Sequence, residues 1–502
     1  MDKKNLEVLH RSLAGNPCKT ASALREMLSE REAAVAPANG SRSARERIVA
    51  LFDEGTFMEL GAYVMRRSSE FETGKSDDLE AVLCGFGSVN GCLVYAFSQD
   101  FSRTRGGVSE AQAKKLRDLY RLATENGAPV VGIFDSAGAY LPEGVRALAA
   151  YGAIMREASL ASGVVPQIAV VPGIAQGAAA IIAAMFDFLI ITEKTASVSV
   201  NPPFLTGAET GKAPFAKESG MAAISVSDDD AAIAKARELL SYLPANNAEG
   251  TVEAISADDC NRAVSLDAYA ASGDMKACIA AFADDGKFVE LYAEYAPEAV
   301  CGFCSAGGVV CGVLANNHAV CDGTLTAPAA RKLAKLLSFC DAFAIPVITV
   351  VDSHGLDISK EAESAPYAAE IAKLAGLYAS ARTALITVIA GEAYGSIVPV
   401  MGAKSLGADI VLAREDAKIG VMNAASAVAF LWNDKIGGNV TREALETEWN
   451  ETVGTPAVAA MAGEVDDVIV DAELRQRLCA AVMMLRSKSK NAPVRRHANL
   501  PL

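Results

Sequence analysis

Residues 167–180 read Gln167-Ile168-Ala169-Val170-Val171-Pro172-Gly173-Ile174-Ala175-Gln176-Gly177-Ala178-Ala179-Ala180. No charge occurs between Gly163 and Phe186, a length that would cross a bilayer. Pro166, Gln167, Pro172, Gly173, Gln176 and Gly177 break it up, however, and make poor material for a lipid-facing helix. The stretch instead predicts a buried β-branched strand, a glycine turn and a buried alanine-rich helix. The same design returns later: Ala384–Ile389 is apolar, and Gly391-Glu392-Ala393-Tyr394-Gly395 echoes Gly173-Ile174-Ala175-Gln176-Gly177.

The echo extends outward in both directions. Cys84-Gly85-Phe86-Gly87-Ser88 and Cys301-Gly302-Phe303-Cys304-Ser305 are separated by the same spacing as Asp135-Ser136 and Asp352-Ser353, and as Lys115-Leu116 and Lys332-Leu333. Gly55-Thr56-Phe57-Met58-Glu59-Leu60 matches Gly286-Lys287-Phe288-Val289-Glu290-Leu291 with a drifted spacing. Ordered matches of this kind mean two homologous halves. In each half, strands (Val130–Phe134, Val347–Val351) alternate with amphipathic helices (Glu110–Asn126, Ala327–Ala342). That alternation predicts an α/β fold with helices on mostly parallel sheets. The weakly periodic stretch from Pro244 to Lys276 separates the halves. The expected organisation is a helical arm over 1–40, a subdomain over 41–250 and a second over 251–502.

Composition agrees with an enzyme-like globular chain. At roughly 150 residues per domain, 502 residues allow about three domains, or two large α/β units. Half the residues are apolar, which excludes disorder and coiled coil. A formal charge of −15 argues against nucleic acid and anionic lipid as partners. The N-terminus has no apolar h-region, and eleven cysteines without one point to free thiols in a reducing, cytoplasmic setting.

A glycine turn from a buried strand into a helix leaves backbone N–H groups without partners, aimed outward. Such groups can hold an anion or the oxyanion of a reacting carbonyl. Gly177 and Ala178, and Gly395, Ser396 and Ile397, occupy this place in the two halves. The plainer reading is that glycine permits close strand–helix packing, and it stays open for either turn alone. Other motifs fail. There is no Gly-x-Ser-x-Gly elbow, and the four histidines are too scattered to suggest a triad. Residues Gly207 to Ala213 fall short of a phosphate-binding loop, and Cys301–Cys304 lacks further zinc ligands, so no bound metal is expected. Asp135 and Asp352 read first as turn caps and second as bases. Glu143 and Glu363 are the remaining acid–base candidates, each more simply a solvated carboxylate.

Beyond these motifs, the chain from about Gly40 to Leu502 resembles the carboxyltransferase subunit of biotin-dependent acyl-CoA carboxylases and decarboxylases. This is the family of propionyl-CoA carboxylase β and methylmalonyl-CoA decarboxylase α. The resemblance rests on Ala44-Arg45-Glu46-Arg47-Ile48, Phe57-Met58-Glu59-Leu60 and Phe97-Ser98-Gln99-Asp100-Phe101. It also rests on Ser162 to Ile168, Glu238 to Pro244 and the ending Arg495 to Leu502. It implies two crotonase-like (ββα spiral) subdomains in tandem and a hexamer whose sites are shared between protomers. It also implies carboxyl transfer between acyl-CoA, on the N-terminal side, and biotin on a separate carrier protein, on the C-terminal side. Gly177 and Ala178 would then face the thioester enolate oxygen, and Gly395, Ser396 and Ile397 the ureido oxygen.

Under that resemblance Arg42, Arg45, Arg47, Arg103 and Arg105 become candidates for the CoA phosphates, the alternative being surface or intersubunit pairs. Gly138, Ala139 and Pro399 would line the acyl site. The chain carries neither a biotin carboxylase segment nor a Met-Lys-Met biotinylation site, so a biotin carboxylase or a membrane decarboxylase subunit is the implied partner. Departures are Asp135-Ser136-Ala137-Gly138-Ala139-Tyr140 where relatives read Asp-Ser-Gly-Gly-Ala-Arg, and Ser353 to Ser359 where relatives are Pro/Gly-rich. The competing readings are a biotin-independent crotonase-type hydratase or decarboxylase, with Glu143 as base, and a degenerate scaffold subunit of a carboxylase complex.

Overall fold

Runs of β-branched residues and small-residue helices build one sheet in each half of the chain. The computed structural model describes residues 42–66, 79–207, 209–364 and 366–488, with part of a helix within 22–29. The expected arm over 1–40 lies mostly outside the described residues, and the ending from Arg495 lies wholly outside them. Two compact units result. One runs to Ser241; the other begins at Tyr242 and takes in Glu218–Gly220.

In the first unit β1 (Met58–Leu60), β2 (Val82–Val89), β3 (Cys92–Gln99), β4 (Val130–Ile133), β5 (Gln167–Val171), β7 (Phe188–Thr192) and β9 (Ile224–Val226) form a seven-stranded sheet in that order. A small second layer pairs β6 (Ile174–Gln176) with β8 (Ser197–Ser199). In the second unit β10 (Phe288–Leu291), β11 (Ala299–Ala306), β12 (Val309–Asn316), β13 (Val347–Ser353), β14 (Leu385–Tyr394), β15 (Ile410–Arg414) and β17 (Asp467–Ile469) repeat the order. There β16 (Lys418–Gly420) pairs with the far end of β14. In both units the first three strands are antiparallel and the rest parallel. The parallel strands β4, β5 and β13 are buried along their whole length, as two helix-covered faces require.

The long helices begin and end where the sequence says they should. Ser109 accepts the Gln112 N–H to start Glu110–Asn126, and Gly127 closes it in the left-handed region at φ 61°. Thr326 starts Ala327–Ala342 in the same way. Each helix presses an apolar face on its sheet: Leu116, Leu119 and Ala123 in one, Leu333, Leu336 and Cys340 in the other. Each such leucine contributes about 1.5–3 kcal/mol of burial. Even the buried lysines are duplicated. Lys115 Nζ donates to the Val82 carbonyl at 2.6 Å, and Lys332 Nζ to that of Ala299 at 2.7 Å. Every cysteine among the described residues is free.

Candidate functional site

The charge-free stretch folds into β5, β6 and the helix Ala178–Ala184, with Gly177 at the corner. Gly177 has φ 61° and ψ −131°, and a Cβ there would meet nothing within 4 Å. It is therefore the backbone angle, not space, that demands glycine. Gly395 repeats this at φ 62°.

The amides now separate by role. The Gly177 N–H donates to the Ser199 carbonyl at 2.9 Å, and the Gly395 N–H to that of Gly420 at 2.9 Å. Both glycines bend the chain but have no free donor, which corrects the expectation that they hold an oxyanion themselves. The next N–H groups, of Ala178 and Ala179 and of Ser396 and Ile397, have no acceptor among the described residues. These are the orphan donors of a helix start. Gly177 and Ala178 are partly exposed, and Ser396 is exposed.

A second segment lies beside each turn. The N–H of Ser136 donates to the Ile174 carbonyl at 2.6 Å and the Gln176 N–H to that of Ser136 at 3.1 Å, so the end of β4 runs alongside β6. Gly138, at φ 122°, then approaches the Gln176 carbonyl, and the following Ala139 N–H has no acceptor among the described residues. Gly355 does the same at φ 134° beside the Tyr394 carbonyl, followed by the unaccepted N–H of Leu356. Ser136 and Ser353 hold these glycines through their hydroxyls at 3.2 and 3.1 Å. Each unit thus offers unaccepted amides from two adjoining segments. Gly355 and Leu356 were missed in the sequence because nothing in Ser353-His354-Gly355-Leu356 outside the repeat marks a donor.

Buried side chains brace the loops from behind. Asp135 Oδ1 accepts the Ile174 N–H at 3.1 Å while Oδ2 takes Arg47 Nη1 at 2.7 Å. Burial pushes the Asp135 carboxyl up, against the lowering by Arg47. Asp352 accepts the Glu392 N–H at 2.8 Å and the Tyr269 hydroxyl, with His318 Nδ1 at 3.4 Å. The cap reading of both aspartates is the one the contacts support.

The candidate arginines divide sharply. Arg47 is buried, with its Nε at 2.8 Å from Asp229 besides the Asp135 contact; its charge is consumed inside the unit, so it cannot meet a phosphate. Arg42 pairs with Asp230 at 2.5 Å, Arg45 with Glu59, and Arg103 with Asp100 at 3.1 Å. Arg45 and Arg103 line one cavity of about 280 Å³ together with Glu59, Glu80, Asp100 and Lys115, whose carboxylates offset its cations. Arg105 is exposed, lies over the Phe101 ring at 5.7 Å, and has no ion pair among the described residues. Its carbonyl accepts the Ala137 N–H at 2.9 Å, which fixes it beside the first amide loop. Pro399 is exposed in the short helix Ile397–Val400. Glu143 accepts the Glu110 N–H at 2.7 Å and so serves the start of a helix, while Glu363 is exposed on the helix Lys360–Glu363.

A model of the carboxyl transferase domain matches residues 36–500. The chain belongs to the carboxyl transferase family. It is 37% identical over 487 residues to the methylmalonyl-CoA decarboxylase subunit alpha of Propionigenium modestum, covering 93% of this chain and 94% of the relative. It is also 37% identical over 509 residues to the propionyl-CoA carboxylase beta chain of Saccharopolyspora erythraea, covering 94% and 93%. The crystal structure of transcarboxylase 12S with methylmalonyl-coenzyme A bound superposes with a TM-score of 0.91 at 31% identity, over 97% of this chain and all of that one. The two units are accordingly the tandem crotonase-like α/β subdomains of a carboxyltransferase, and the chain is an enzyme.

Proposed function

We propose that this carboxyltransferase moves a carboxyl group between carrier-bound biotin and a short-chain acyl-CoA of the propionyl/methylmalonyl class. The observation that carries the reading is the duplicated set of amides with no acceptor among the described residues: Ala139 with Ala178 and Ala179, and Leu356 with Ser396 and Ile397. Two oxygens gain negative charge when a carboxyl group passes between a thioester α-carbon and a ureido nitrogen, and each unit supplies donors for one. The first unit holds the thioester enolate oxygen and the second the ureido oxygen. Removal of one such donor costs about 2.7–4 kcal/mol of transition-state stabilisation.

Biotin, when present on its carrier, supplies the nitrogen that carries the carboxyl group and exchanges it for the α-proton. The chain's part is to bind, orient and stabilise, in keeping with Glu143 serving a helix and Asp135 pairing with Arg47 rather than standing free as bases. The same facts weaken the biotin-independent reading. Arg105 is the cation best placed for a phosphate or carboxylate on the acyl-CoA side. A hexamer is in keeping with the transcarboxylase 12S assembly and with Phe204 and Phe430, which are 83% and 80% exposed. No helix among the described residues is long and apolar enough to cross a membrane. A decarboxylase pump, a biotin carboxylase and the carrier are the partners this reading calls for.

Proline substitution tests this reading cleanly. Proline is tolerated at a helix start and removes only the N–H. Ser396 has φ −69°, already the angle proline fixes. With methylmalonyl-CoA and biotinylated carrier, Ala178→Pro and Ser396→Pro should each slow transfer by about 10²–10³-fold with circular dichroism unchanged. Hydration of an enoyl-CoA with no transfer to biotin, or full activity in both variants, would overturn the proposal.

A further inference from the structure

One polar difference between the two amide loops lies at Ala137 and His354. Ala137 and His354 hold equivalent places: each donates its N–H to a left-handed turn, Ala137 to the Arg105 carbonyl at 2.9 Å and His354 to that of Asp322 at 3.0 Å. Ala137 adds only a methyl group. The His354 ring adds two bonds, Nδ1 at 3.0 Å from Glu392 Oε2 and Nε2 at 3.1 Å from Asn423 Nδ2.

Those partners fix the tautomer. Asn423 Oδ1 already accepts the Ser426 N–H at 2.9 Å, as the cap of the helix Ala424–Leu431, so its amide must present NH₂ to the ring. Nε2 therefore accepts, and Nδ1 carries the proton and donates to Glu392. Burial works to raise the Glu392 carboxyl, but His354 and Lys418 outweigh it and hold the group below its usual range. Lys418 Nζ lies 3.2 Å from the other Glu392 oxygen, and the Tyr394 ring meets the imidazole edge-on at 5.8 Å. The imidazole thus joins three segments: the loop bearing the Leu356 amide, the strand end leading to Ser396, and the cap of the following helix.

We propose that His354, in its neutral Nδ1–H form, is a positioning residue that sets the spacing between the Leu356 amide and the Ser396–Ile397 amides. The inference rests on the carboxyltransferase reading and concerns only the biotin side of it. Misplacement of a reacting group by about 1 Å can cost 10²-fold, so a loose clamp shows in rate.

The test compares His354→Ala and His354→Gln with the full-length protein, using free biotin as acceptor and methylmalonyl-CoA as donor. His354→Ala should lower kcat/KM for biotin by about 10–100-fold and leave the KM for the CoA ester within about twofold. His354→Gln keeps an acceptor at the ε position, so it should recover most of that loss. Amide hydrogen exchange, read without turnover, should quicken in residues 353–357 and 424–431 of His354→Ala. Unchanged exchange in both segments, or equal losses on the biotin and CoA sides, overturns the proposal. If the wild type transfers no carboxyl group, the functional reading fails, and the exchange measurement still decides whether the clamp exists.

Discussion

Behind the first amide loop a buried carboxylate is neutralised by an arginine; behind the second, its counterpart accepts a hydrogen bond from a phenol. Yet the backbone around both is the same. A Cβ on Gly173 would stand 2.2 Å from Asp135 Oδ1, and one on Gly391 2.2 Å from Asp352 Oδ1. Both carboxylates receive a turn N–H, from Ile174 and Glu392. Turn geometry dictates where the carboxylate must sit, whereas its side-chain partner was free to diverge: Arg47, on the helix Ala44–Leu51, in one unit, and the Tyr269 hydroxyl, on the helix Asp267–Ser272, in the other.

The largest effect expected from that difference is at Arg47. Arg47→Met strands Asp135 and Asp229 as buried charges without their partner, at a cost of about 3–5 kcal/mol by chemical denaturation. The pH dependence has a definite sign. A carboxyl whose pKa is raised in the folded state contributes stability at low pH that is lost as pH rises through the folded value. Asp135 is already raised by burial, and loss of Arg47 raises it further. The gap in melting temperature between Arg47→Met and wild type should therefore narrow as pH falls from about 7 to 5. A gap that widens on acidification would mean the arginine is not there for the carboxylate.

Next come the paired glycines of the left-handed turns, where the two units should agree. Gly106 (φ 66°) and Gly323 (φ 63°) would place a Cβ 2.0 Å from the Asp135 carbonyl oxygen and 2.1 Å from that of Asp352. Left-handed strain and overpacking together put Gly106→Ala and Gly323→Ala at about 2–5 kcal/mol each. If one were neutral, the claim that both loops share a single backbone requirement would break. Tyr269→Phe should cost less, about 1.5–3 kcal/mol, because it removes one hydrogen bond to a charge and strands no ion. A Tyr269→Phe loss as large as that of Arg47→Met would erase the distinction between the two kinds of support.

Much of this architecture is legible in the sequence. The repeat identifies two copies of one sheet, and both long helices fall on their predicted residues because caps and apolar spacing agree. The glycine turns are legible because both halves repeat them: Gly177 and Gly395 take positive φ, while Gly173 and Gly391 leave room for the aspartates. Which amide is free is not legible, since Ser199 and Gly420, which occupy the glycine N–H groups, come from strands far along the chain. Nor is the depth of Arg47: its partners lie 88 and 182 positions away, and its helix has only a weak apolar face. The helix Asp267–Ser272 and the start of Met275–Phe282 fall within the stretch whose period is weak, because short alanine-rich segments show little period.

The smallest predicted effect lies one step further back, where the copies differ by a methylene. Gln99 ends β3, and its Oε1 accepts the Asp135 N–H at 3.2 Å while its Nε2 donates to Gln112 at 3.3 Å. Asn316 ends β12 in the same place. Its Nδ2 donates to the Gly323 carbonyl at 3.1 Å, and its buried Oδ1 has no partner. The shorter side chain reaches the left-handed turn but not the strand end. Gln99→Asn should therefore cost about 0.5–1.5 kcal/mol, the value of one hydrogen bond, and quicken amide exchange at Asp135. The second unit already lives with that arrangement, so the variant should fold. A loss well above this range would mean that the first unit, with its ion pair behind the loop, tolerates less slack at the strand end than the second.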